Sequence, residues 1–291
     1  MINLAVIGIG RWGKNLLREF NKITEVTYCY ARSAENRQWL KKNYPNIEAA
    51  ESYDDILNNP NIDAVVIATP IETHFELARR ALESGKHTFV EKPITAIPAQ
   101  AEKLVSLAKK NKLILFVGHT FLYHPVFQKI KELTKNDPLI YAKFSWNKLG
   151  SFNEDVVWNL ACHDVAMAIN LFGEPKKVKL LSAKGLVTKR DIISLELNFS
   201  GNRAATIEIN RVSDLKNKLV TIATKNNVYS WDNDSLYKLD RAPGEFKEIY
   251  HSETQPLEIE CQAFLDAIEK KSPFPTDGTL GLAVVNAIAH L

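Results

Sequence analysis

Three glycines near the start of the chain have a spacing that lets a backbone loop hold a phosphate group. Gly8, Gly10 and Gly13 form a G-x-G-x-x-G pattern. An apolar run of β-forming residues, Met1–Ile7, precedes it, and Lys14–Phe20 follows with helical spacing. In that position the glycines permit a tight turn, a close approach to a pyrophosphate and close helix–strand packing, while the helix start attracts the phosphates. The pattern therefore predicts a dinucleotide-binding loop; the alternative is a glycine-rich turn that binds nothing. The predicted loop residues are Gly8, Ile9, Gly10, Arg11, Trp12 and Gly13.

The end of the second predicted strand bears on which dinucleotide is bound. An acidic residue about twenty positions after the glycines binds the ribose 2′-hydroxyl of NAD in many such sites. Here the strand ends in Tyr30-Ala31-Arg32-Ser33, and no carboxylate follows until Glu35. This arrangement leaves room for a 2′-phosphate and a guanidinium to pair with it. We therefore predict that Ala31, Arg32 and Ser33 bind the cofactor, with NADP favoured over NAD. The alternative is that Arg32 is an ordinary surface residue.

Strands and helices alternate through the first part of the chain. Continuous apolar runs predict strands covered on both faces, and helical spacing, a capping box and a terminal glycine predict helices between them. The predicted strands are Val26–Tyr30, Ala64–Ala68, His87–Val90 and Leu113–Val117. The predicted helices are Ala34–Tyr44, a short one opened by Ser52–Asp55, Glu72–Ser84, and one from Pro98 to about Asn111. A repeated βα pattern implies a doubly wound parallel sheet, so residues 1–118 are predicted to form an α/β, NAD(P)-binding Rossmann domain.

The pattern changes to period two in the second half. Ile193–Phe199 and Ala205–Ile209 alternate apolar and polar residues around a turn at Ser200-Gly201-Asn202, which predicts a β-hairpin with one covered face. Further predicted strands are Ile140–Trp146, Lys218–Thr224, Val228–Trp231 and Ser235–Leu239, and further predicted helices are Leu160–Leu171, Leu257–Lys270 and Leu280–Leu291. Residues 119–291 are therefore predicted to form an α+β domain with an open, mostly antiparallel sheet and helices on one face.

A resemblance to a known family begins at Glu91-Lys92-Pro93, which ends a predicted strand. With Ala68-Thr69-Pro70 and His74 before it, the sequence resembles the Gfo/Idh/MocA family of NAD(P)-dependent oxidoreductases. The segments Gly118–Pro125 and Leu149–Asp164 resemble the branch that acts on nucleotide-linked sugars. The resemblance covers nearly the whole chain. It implies hydride transfer between a nicotinamide and a carbinol or ketone carbon of a sugar. It also implies a homo-oligomer, a dimer or tetramer, that uses the open face of the second sheet.

The resemblance also assigns roles to particular residues. Removing a hydride from a secondary alcohol needs a base for the hydroxyl proton and a positive charge for the developing oxyanion. By resemblance, Lys92 supplies the ammonium, His163 is the acid/base, and a cis peptide bond at Pro93 turns Lys92 toward the nicotinamide. Taken alone, a lysine such as Lys92 is more often an exposed side chain at a strand end, and a histidine such as His163 is more often a satisfied core residue. The further cofactor contacts implied are Ala68, Thr69, Pro70, His74, Glu91 and Lys92, and the substrate contacts implied are His119, Phe121, Tyr123, Asn159 and His163.

One position departs from the family pattern. The family usually carries an aspartate one helical turn before the histidine, where this chain has Asn159. An amide can orient a substrate hydroxyl but cannot accept a proton or raise the basicity of His163. Asp164 is adjacent to His163 in sequence but points elsewhere on a helix, and Asp155 could substitute only if the segment before Asn159 is irregular. Asn159 therefore puts the rate of catalysis, or catalysis itself, in doubt.

Composition argues against several other classes of protein. The 291 residues include 37 basic and 34 acidic side chains, a net charge of +3, which is too balanced to indicate nucleic-acid binding. No apolar run is long enough for a membrane span, and a strand begins almost at once, so no signal peptide is expected. Cys29, Cys162 and Cys261 are widely separated, which indicates neither a disulfide framework nor a metal site and favours the cytoplasm.

These observations predict an NAD(P)-dependent oxidoreductase that acts on CH–OH groups, with Lys92, His163 and Asn159 as its catalytic residues. The first alternative is a catalytically impaired NAD(P)- or sugar-binding protein of the same fold, motivated by Asn159. The second is a nucleic-acid-binding regulator on a Rossmann scaffold, which the absence of a basic stripe in the sequence disfavours.

Overall fold

The computed structural model describes residues 2–291, which divide into two compact units. The first unit contains the chain up to Thr120 together with Leu257–Val285, and the second contains Phe121–Pro256 and Asn286–Leu291. The predicted second domain, 119–291, is corrected in one respect, because most of the C-terminal segment belongs to the first unit. The physical reason is aromatic packing: the ring of Phe264 lies edge-on to Phe20 and Phe89, at centroid distances of 6.0 and 5.6 Å.

The first unit is built on a six-stranded parallel sheet. Its strands are β1 Asn3–Ile7, β2 Glu25–Tyr30, β3 Glu48–Ala49, β4 Ala64–Ile67, β5 His87–Glu91 and β6 Leu115–Gly118. They are arranged in the order β3-β2-β1-β4-β5-β6, which confirms the predicted doubly wound sheet. β1 and β4 are neighbours although two strands separate them in sequence. The loops after them therefore flank the point where the strand order reverses, which is where such sheets bind ligands.

The helices of the first unit begin and end where local chemistry predicts. They are α1 Arg11–Ile23, α2 Ala34–Asn43, α3 Tyr53–Asn58, α4 Ile71–Glu83, α5 Pro98–Asn111, α8 Pro256–Glu269 and α9 Gly278–Ile288. Ser52 and Asp55 form the predicted capping box at the start of α3. Gly85 follows α4 with a φ of 77°, a left-handed conformation that glycine adopts without steric cost. No helix within residues 2–291 is long and apolar enough to cross a membrane.

The second unit is built on an eight-stranded sheet in the order β14-β13-β12-β11-β7-β10-β9-β8. Its strands are β7 Leu139–Leu149, β8 Lys177–Lys184, β9 Ile192–Phe199, β10 Arg203–Asn210, β11 Val212–Thr224, β12 Val228–Asp232, β13 Ser235–Asp240 and β14 Glu245–His251. All neighbours are antiparallel except β7 and β10, so the predicted mostly antiparallel sheet is confirmed. The helices of this unit are α6 Pro125–Thr134 and α7 Cys162–Phe172. The predicted hairpin is β9–β10, in which Leu195 pairs with Ile207 and both are fully buried.

Candidate functional site

The three glycines of the first loop have three different surroundings. Gly8 has a φ of 88°, and a Cβ there would lie 2.6 Å from Cγ2 of Thr69. A Cβ on Gly13 would lie 1.9 Å from the carbonyl oxygen of Gly8, so α1 packs on this loop with no room for a side chain. Around a Cβ on Gly10, by contrast, no atom of residues 2–291 lies within 4 Å apart from the residues next to it in the chain. Gly8 and Gly13 therefore serve the fold, while Gly10 leaves open space that a ligand can occupy.

The start of α1 is suited to an anion. Gly10 occupies the N-cap position, where it provides no side chain to accept a hydrogen bond from the first turn of the helix. The N–H groups of that turn are thus available to an external acceptor, and the helix dipole favours a negative one. Arg11 and Trp12 are exposed beside them. The geometry fits a pyrophosphate lying over Gly10.

Basic side chains lie at the carboxyl end of β2. Ala31 is buried, whereas Arg32 and Ser33 are exposed. The Ser33 hydroxyl caps α2 by accepting a hydrogen bond from the backbone N–H of Asn36 (3.2 Å). Arg37, which was not among the predicted residues, donates from Nη1 to the carbonyl oxygens of Ala31 (2.9 Å) and Arg32 (2.6 Å). Two exposed guanidinium groups therefore flank this strand end.

The loop after β4 is held by His74. The ring of His74 is 1% exposed, and its Nδ1 and Nε2 lie 2.8 and 2.7 Å from the carbonyl oxygens of Pro93 and Thr69, respectively. His74 therefore joins the Ala68-Thr69-Pro70 loop to the Glu91-Lys92-Pro93 loop from inside. The Lys92–Pro93 peptide bond is cis, as predicted.

Glu91 links the glycine loop to Lys92. Its Oε1 accepts a hydrogen bond from the indole N–H of Trp12 (2.5 Å), and its Oε2 accepts one from the backbone N–H of Lys92 (3.1 Å). Burial raises the pKa of Glu91 to about 7, against the charge of Lys92 and the hydrogen bond from Trp12, which lower it. A Cβ on Gly118, its partner on β6, would lie 2.9 Å from Oε1 of Glu91. Glu91 is thus confined between two strand ends and the loop that carries Trp12.

Two more titratable groups of the first unit are buried near Glu91 and Lys92. His119 is 1% exposed, and burial, together with the charge of Lys92, lowers its pKa to about 3. The ring is thus enclosed in this structure, and the role of His119 as a substrate contact stays a prediction. Glu260, on α8, was not predicted. Its Oε2 accepts a hydrogen bond from the Thr120 hydroxyl (2.5 Å), and burial, then the charge of Glu91, raises its pKa well above 4.5.

Asn159 and His163 lie on an irregular helix in the second unit. Val157–Ala161 forms a π-helical turn that runs directly into α7, a feature frequent at functional sites. The segment before Asn159 is thus irregular, but the Asp155 carboxylate is engaged elsewhere. It accepts hydrogen bonds from the backbone N–H of Val157 (2.9 Å) and from Nε of Arg190 (2.8 Å). Asp155 therefore anchors the turn and does not replace the missing aspartate.

Two aromatic rings flank the imidazole of His163. The Phe121 ring lies edge-on to it with centroids 5.1 Å apart, and the Trp146 ring lies 6.0 Å away. Phe121 and Trp146 are themselves 5.4 Å apart, so the three rings form one cluster. Tyr123 is also buried. Of the predicted substrate residues, Phe121 and His163 are thus brought into contact.

A buried ion pair lies beside the ring cluster and was not predicted. Asp164 is fully buried, and its Oδ1 accepts a hydrogen bond from Nζ of Lys218 on β11. Nζ of Lys218 lies 3.8 Å from the centroid of Trp146 and 4.5 Å from that of Phe121. The partners are distant in sequence, so no local pattern signals the pair. The register of β7 and β11 places Lys218 directly opposite Trp146, and this strand pairing is known only from the structure.

The loop leading into the π-helical turn is fixed by a second buried ion pair. Arg211 and Asp191 are fully buried, with Nη2 of Arg211 2.9 Å from Oδ1 of Asp191. Arg211 also donates from Nη1 to the carbonyl oxygen of Glu154 (2.5 Å). The start of the Asn159–His163 segment is therefore held rigidly against the sheet.

Comparison with known proteins decides the family. The family model described as an oxidoreductase family with an NAD-binding Rossmann fold, GFO_IDH_MocA, matches residues 2–119. Residues 2–119 therefore form the NAD-binding domain of a Gfo/Idh/MocA oxidoreductase. The match spans the parallel sheet and the loops after β1, β2, β4 and β5, so this oxidoreductase carries its predicted cofactor residues within the stretch that defines the family. Among residues 2–291, no group of three or more His, Cys, Asp or Glu side chains is placed to hold a metal ion.

Named relatives extend the similarity to nearly the whole oxidoreductase. It is 26% identical to the UDP-N-acetylglucosamine 3-dehydrogenase of Acidithiobacillus ferrooxidans, over 97% of this chain and 94% of the relative. The solved structure of that enzyme superposes with a TM-score of 0.92, covering 98% of this chain and 95% of the other. A solved oxidoreductase from Magnetospirillum magnetotacticum is also 26% identical, with a TM-score of 0.87 and 98% of both chains covered. The NADP-dependent scyllo-inositol 2-dehydrogenase IolW of Bacillus subtilis is 27% identical over 48% of this chain and 43% of its own.

Proposed function

We propose that this oxidoreductase transfers a hydride between NADP and a carbinol or ketone carbon of a nucleotide-linked sugar. The observation that carries the proposal is the similarity, from end to end, to a UDP-N-acetylglucosamine 3-dehydrogenase. The similarity to the inositol dehydrogenase covers less than half of either chain, so a free polyol is the weaker candidate.

When bound, NADP would supply the hydride acceptor for oxidation of the carbinol, whose hydroxyl must also lose its proton. The residues of this chain transfer the proton and stabilise the charge on the oxygen. His163 takes the hydroxyl proton, and Lys92 supplies positive charge to the oxygen as the carbonyl forms. In the reductive direction the same residues act in reverse, with His163 returning the proton.

The glycine loop and the loops after β4 and β5 together hold NADP. The backbone at Gly10 and the first turn of α1 hold the pyrophosphate. Thr69 and Pro70 border the cofactor from the loop after β4, and His74 acts by positioning that loop. Glu91 positions Lys92 by accepting its backbone N–H.

The preference for NADP rests on the charge at the end of β2. Arg32 and Arg37 are both exposed there, and Ala31 contributes no carboxylate to bind a ribose 2′-hydroxyl. A 2′-phosphate would gain charge-assisted hydrogen bonds from either guanidinium. The first carboxylate in the sequence, Glu35, is exposed in the first turn of α2.

Asn159 motivates a second candidate, a protein that binds NADP and a sugar but does not react. In that case His163 would lack the aspartate that usually stabilises an imidazolium, and Asp155 does not take that place because it is engaged by Arg190. We favour the enzyme because Asn159 can still orient a substrate hydroxyl through its amide.

We also propose that the protein is a homo-oligomer located in the cytoplasm. Large apolar side chains are exposed on several strands of the second sheet, as expected of a face that a second copy covers. They include Ile140, Leu181, Leu219, Phe246 and Ile249. The three cysteines are buried as free thiols, which suits a reducing compartment.

A substrate screen tests the proposed function. Purified protein is incubated with NADP or NAD and either UDP-N-acetylglucosamine, a thymidine diphosphate sugar, free inositol or free glucose, while reduced nicotinamide is recorded. We expect turnover with a nucleotide sugar and NADP. Efficient turnover of inositol or glucose without turnover of any nucleotide sugar would contradict the proposal.

A further inference from the structure

Lys218 occupies an unusual position for a lysine. Its side chain is only 13% exposed, with Nζ over the faces of the Trp146 and Phe121 rings. These are the two rings that contact His163. Within the described chain the Nζ atom makes a single hydrogen bond, to Asp164, and its other neighbours are the two ring faces.

Stability alone is a weak reason for such a pair. Removing a lysine and a carboxylate from water costs more free energy than their attraction often returns, and apolar replacements of buried pairs are frequently neutral or stabilising. Burial lowers the pKa of Lys218 and raises the pKa of Asp164, which is the expected sign of that cost. Oδ2 of Asp164 is buried, with no hydrogen-bond partner in residues 2–291. The pair is thus not optimised as a structural support.

The surroundings of Lys218 favour an anion. Nζ of Lys148 lies 5.5 Å from the centroid of the same Trp146 ring, and the charge of Lys148 contributes to lowering the pKa of Lys218. Two ammonium groups near one ring repel each other in a region of low dielectric, and a bound anion relieves that repulsion. A lysine acts on phosphate groups as a point charge with several donors.

We propose that Lys218, held in place by Asp164, binds the diphosphate of the nucleotide-linked sugar and so selects phosphorylated over uncharged sugars. The inference rests on the proposed function and deepens it by assigning a specificity-determining residue. Because Lys218 and His163 share the Phe121–Trp146 ring pair, the charge lies beside the segment that carries the proposed acid/base. Asp164 is the positioning residue, which fixes the ammonium against the rings.

The experiment measures UDP binding by calorimetry and steady-state kinetics with UDP-N-acetylglucosamine. The variants are Lys218→Met, Lys218→Arg and the double variant Lys218→Met with Asp164→Asn. The double variant removes both charges, so it leaves no buried carboxylate unpaired and keeps the test valid if the single variant is unstable. The control is Lys143→Met, because Lys143 lies on the same sheet but pairs with Glu208 (2.8 Å).

We expect the Met variants to bind UDP roughly ten- to a hundredfold more weakly, the loss of one charge-assisted hydrogen bond. KM for the nucleotide sugar should rise with kcat little changed, the affinity for NADP should stay the same, and Lys218→Arg should recover part of the loss. Lys143→Met should match the wild type. Added salt should weaken UDP binding in the wild type more than in the Met variants.

The outcomes separate this inference from the proposed function. Unchanged UDP affinity and KM in the folded Met variants, with nucleotide sugars still turned over by the wild type, would overturn the role of Lys218 and leave the proposed function intact. A fall in kcat alone would also overturn it, because it would assign Lys218 to the chemical step. Absence of both UDP binding and nucleotide-sugar turnover in the wild type would overturn both.

Discussion

Alanine substitutions at Gly10 and Gly13 should separate cofactor binding from folding. Gly10 is the N-cap residue of α1 and Gly13 lies in its first turn, and each substitution adds the same single methyl group. A Cβ at Gly10 meets no described atom within 4 Å, and Gly10 has a φ of −70°, which any L-residue adopts. We therefore expect Gly10→Ala to change the free energy of unfolding by no more than about 0.5 kcal/mol. The methyl group should instead occupy the space needed by the pyrophosphate and weaken NADP binding by about a hundredfold or more, equivalent to about 2.7 kcal/mol.

Gly13→Ala should have the opposite effect. Its Cβ would lie 1.9 Å from the carbonyl oxygen of Gly8, so α1 must move away from the loop. Overpacking of this kind costs about 3 kcal/mol, which at about 2–4 °C per kcal/mol lowers the midpoint of thermal unfolding by about 6–12 °C.

Scanning calorimetry gives the midpoint of thermal unfolding of each variant, and cofactor titration gives its affinity for NADP. Gly85→Ala is a useful reference, since Gly85 has a positive φ but open space around its Cβ, so only backbone strain is added. Cofactor affinity in Gly10→Ala within twofold of the wild type would refute the placement of the pyrophosphate. Equal thermal stability of Gly13→Ala and Gly10→Ala would refute the packing of α1 on the loop.

Three further predictions concern single side chains. Arg32→Ala should weaken the binding of NADP but hardly that of NAD, because only NADP carries the 2′-phosphate; tighter binding of NAD than NADP by the wild type would show the preference to be wrong. The folded state should hold a proton on Glu91 between its ordinary pKa of 4.5 and about 7, whereas the unfolded chain releases it, so this group makes stability fall as pH rises through that range. Urea unfolding at about pH 5 and about pH 7 should therefore show that the free energy of unfolding falls less between these two pH values in Glu91→Gln than in the wild type. An equal fall in both proteins would contradict the burial argument. His163→Ala and Lys92→Ala should each nearly abolish turnover while cofactor titration stays close to wild type, and full activity in either variant would remove that residue from the mechanism.

Much of the first unit could be predicted because its signals are local. The loop of Gly8 and Gly13, the capping box of Ser52 and Asp55, and the buried strand runs each depend on residues close together in sequence. The doubly wound parallel sheet, though not the order of its strands, was then predicted from the repeated βα units.

The features that were missed depend on contacts between distant residues. Nothing near Lys218 in sequence indicates Asp164, and the two meet only because β11 pairs with β7 beside α7. Glu260 belongs to a helix that returns to the first unit late in the chain, so neither its burial nor its hydrogen bond with Thr120 has a local signal. The two-residue strand β3 and the charged edge strand β14 are too short or too polar for period-two patterns to reveal them.

The segment around Asn159 has one feature that the sequence predicts locally and others that it does not. The helix Leu160–Leu171 was predicted, but the π-helical turn of Val157–Ala161 was not, because no propensity scale distinguishes it from an α-helix. Its supports come from Arg190, just before β9, and from Arg211, between β10 and β11.

The central claim is that the chain is an active oxidoreductase although Asn159 stands where the family usually has aspartate. The most direct measurement records reduced nicotinamide at about 340 nm, in wild type and in Asn159→Asp, with saturating NADP and UDP-N-acetylglucosamine. We predict steady turnover in the wild type and an equal or higher rate in Asn159→Asp, because a carboxylate there would stabilise the imidazolium of His163. No turnover in the wild type together with measurable turnover in Asn159→Asp would contradict the claim and identify the protein as one that binds without reacting.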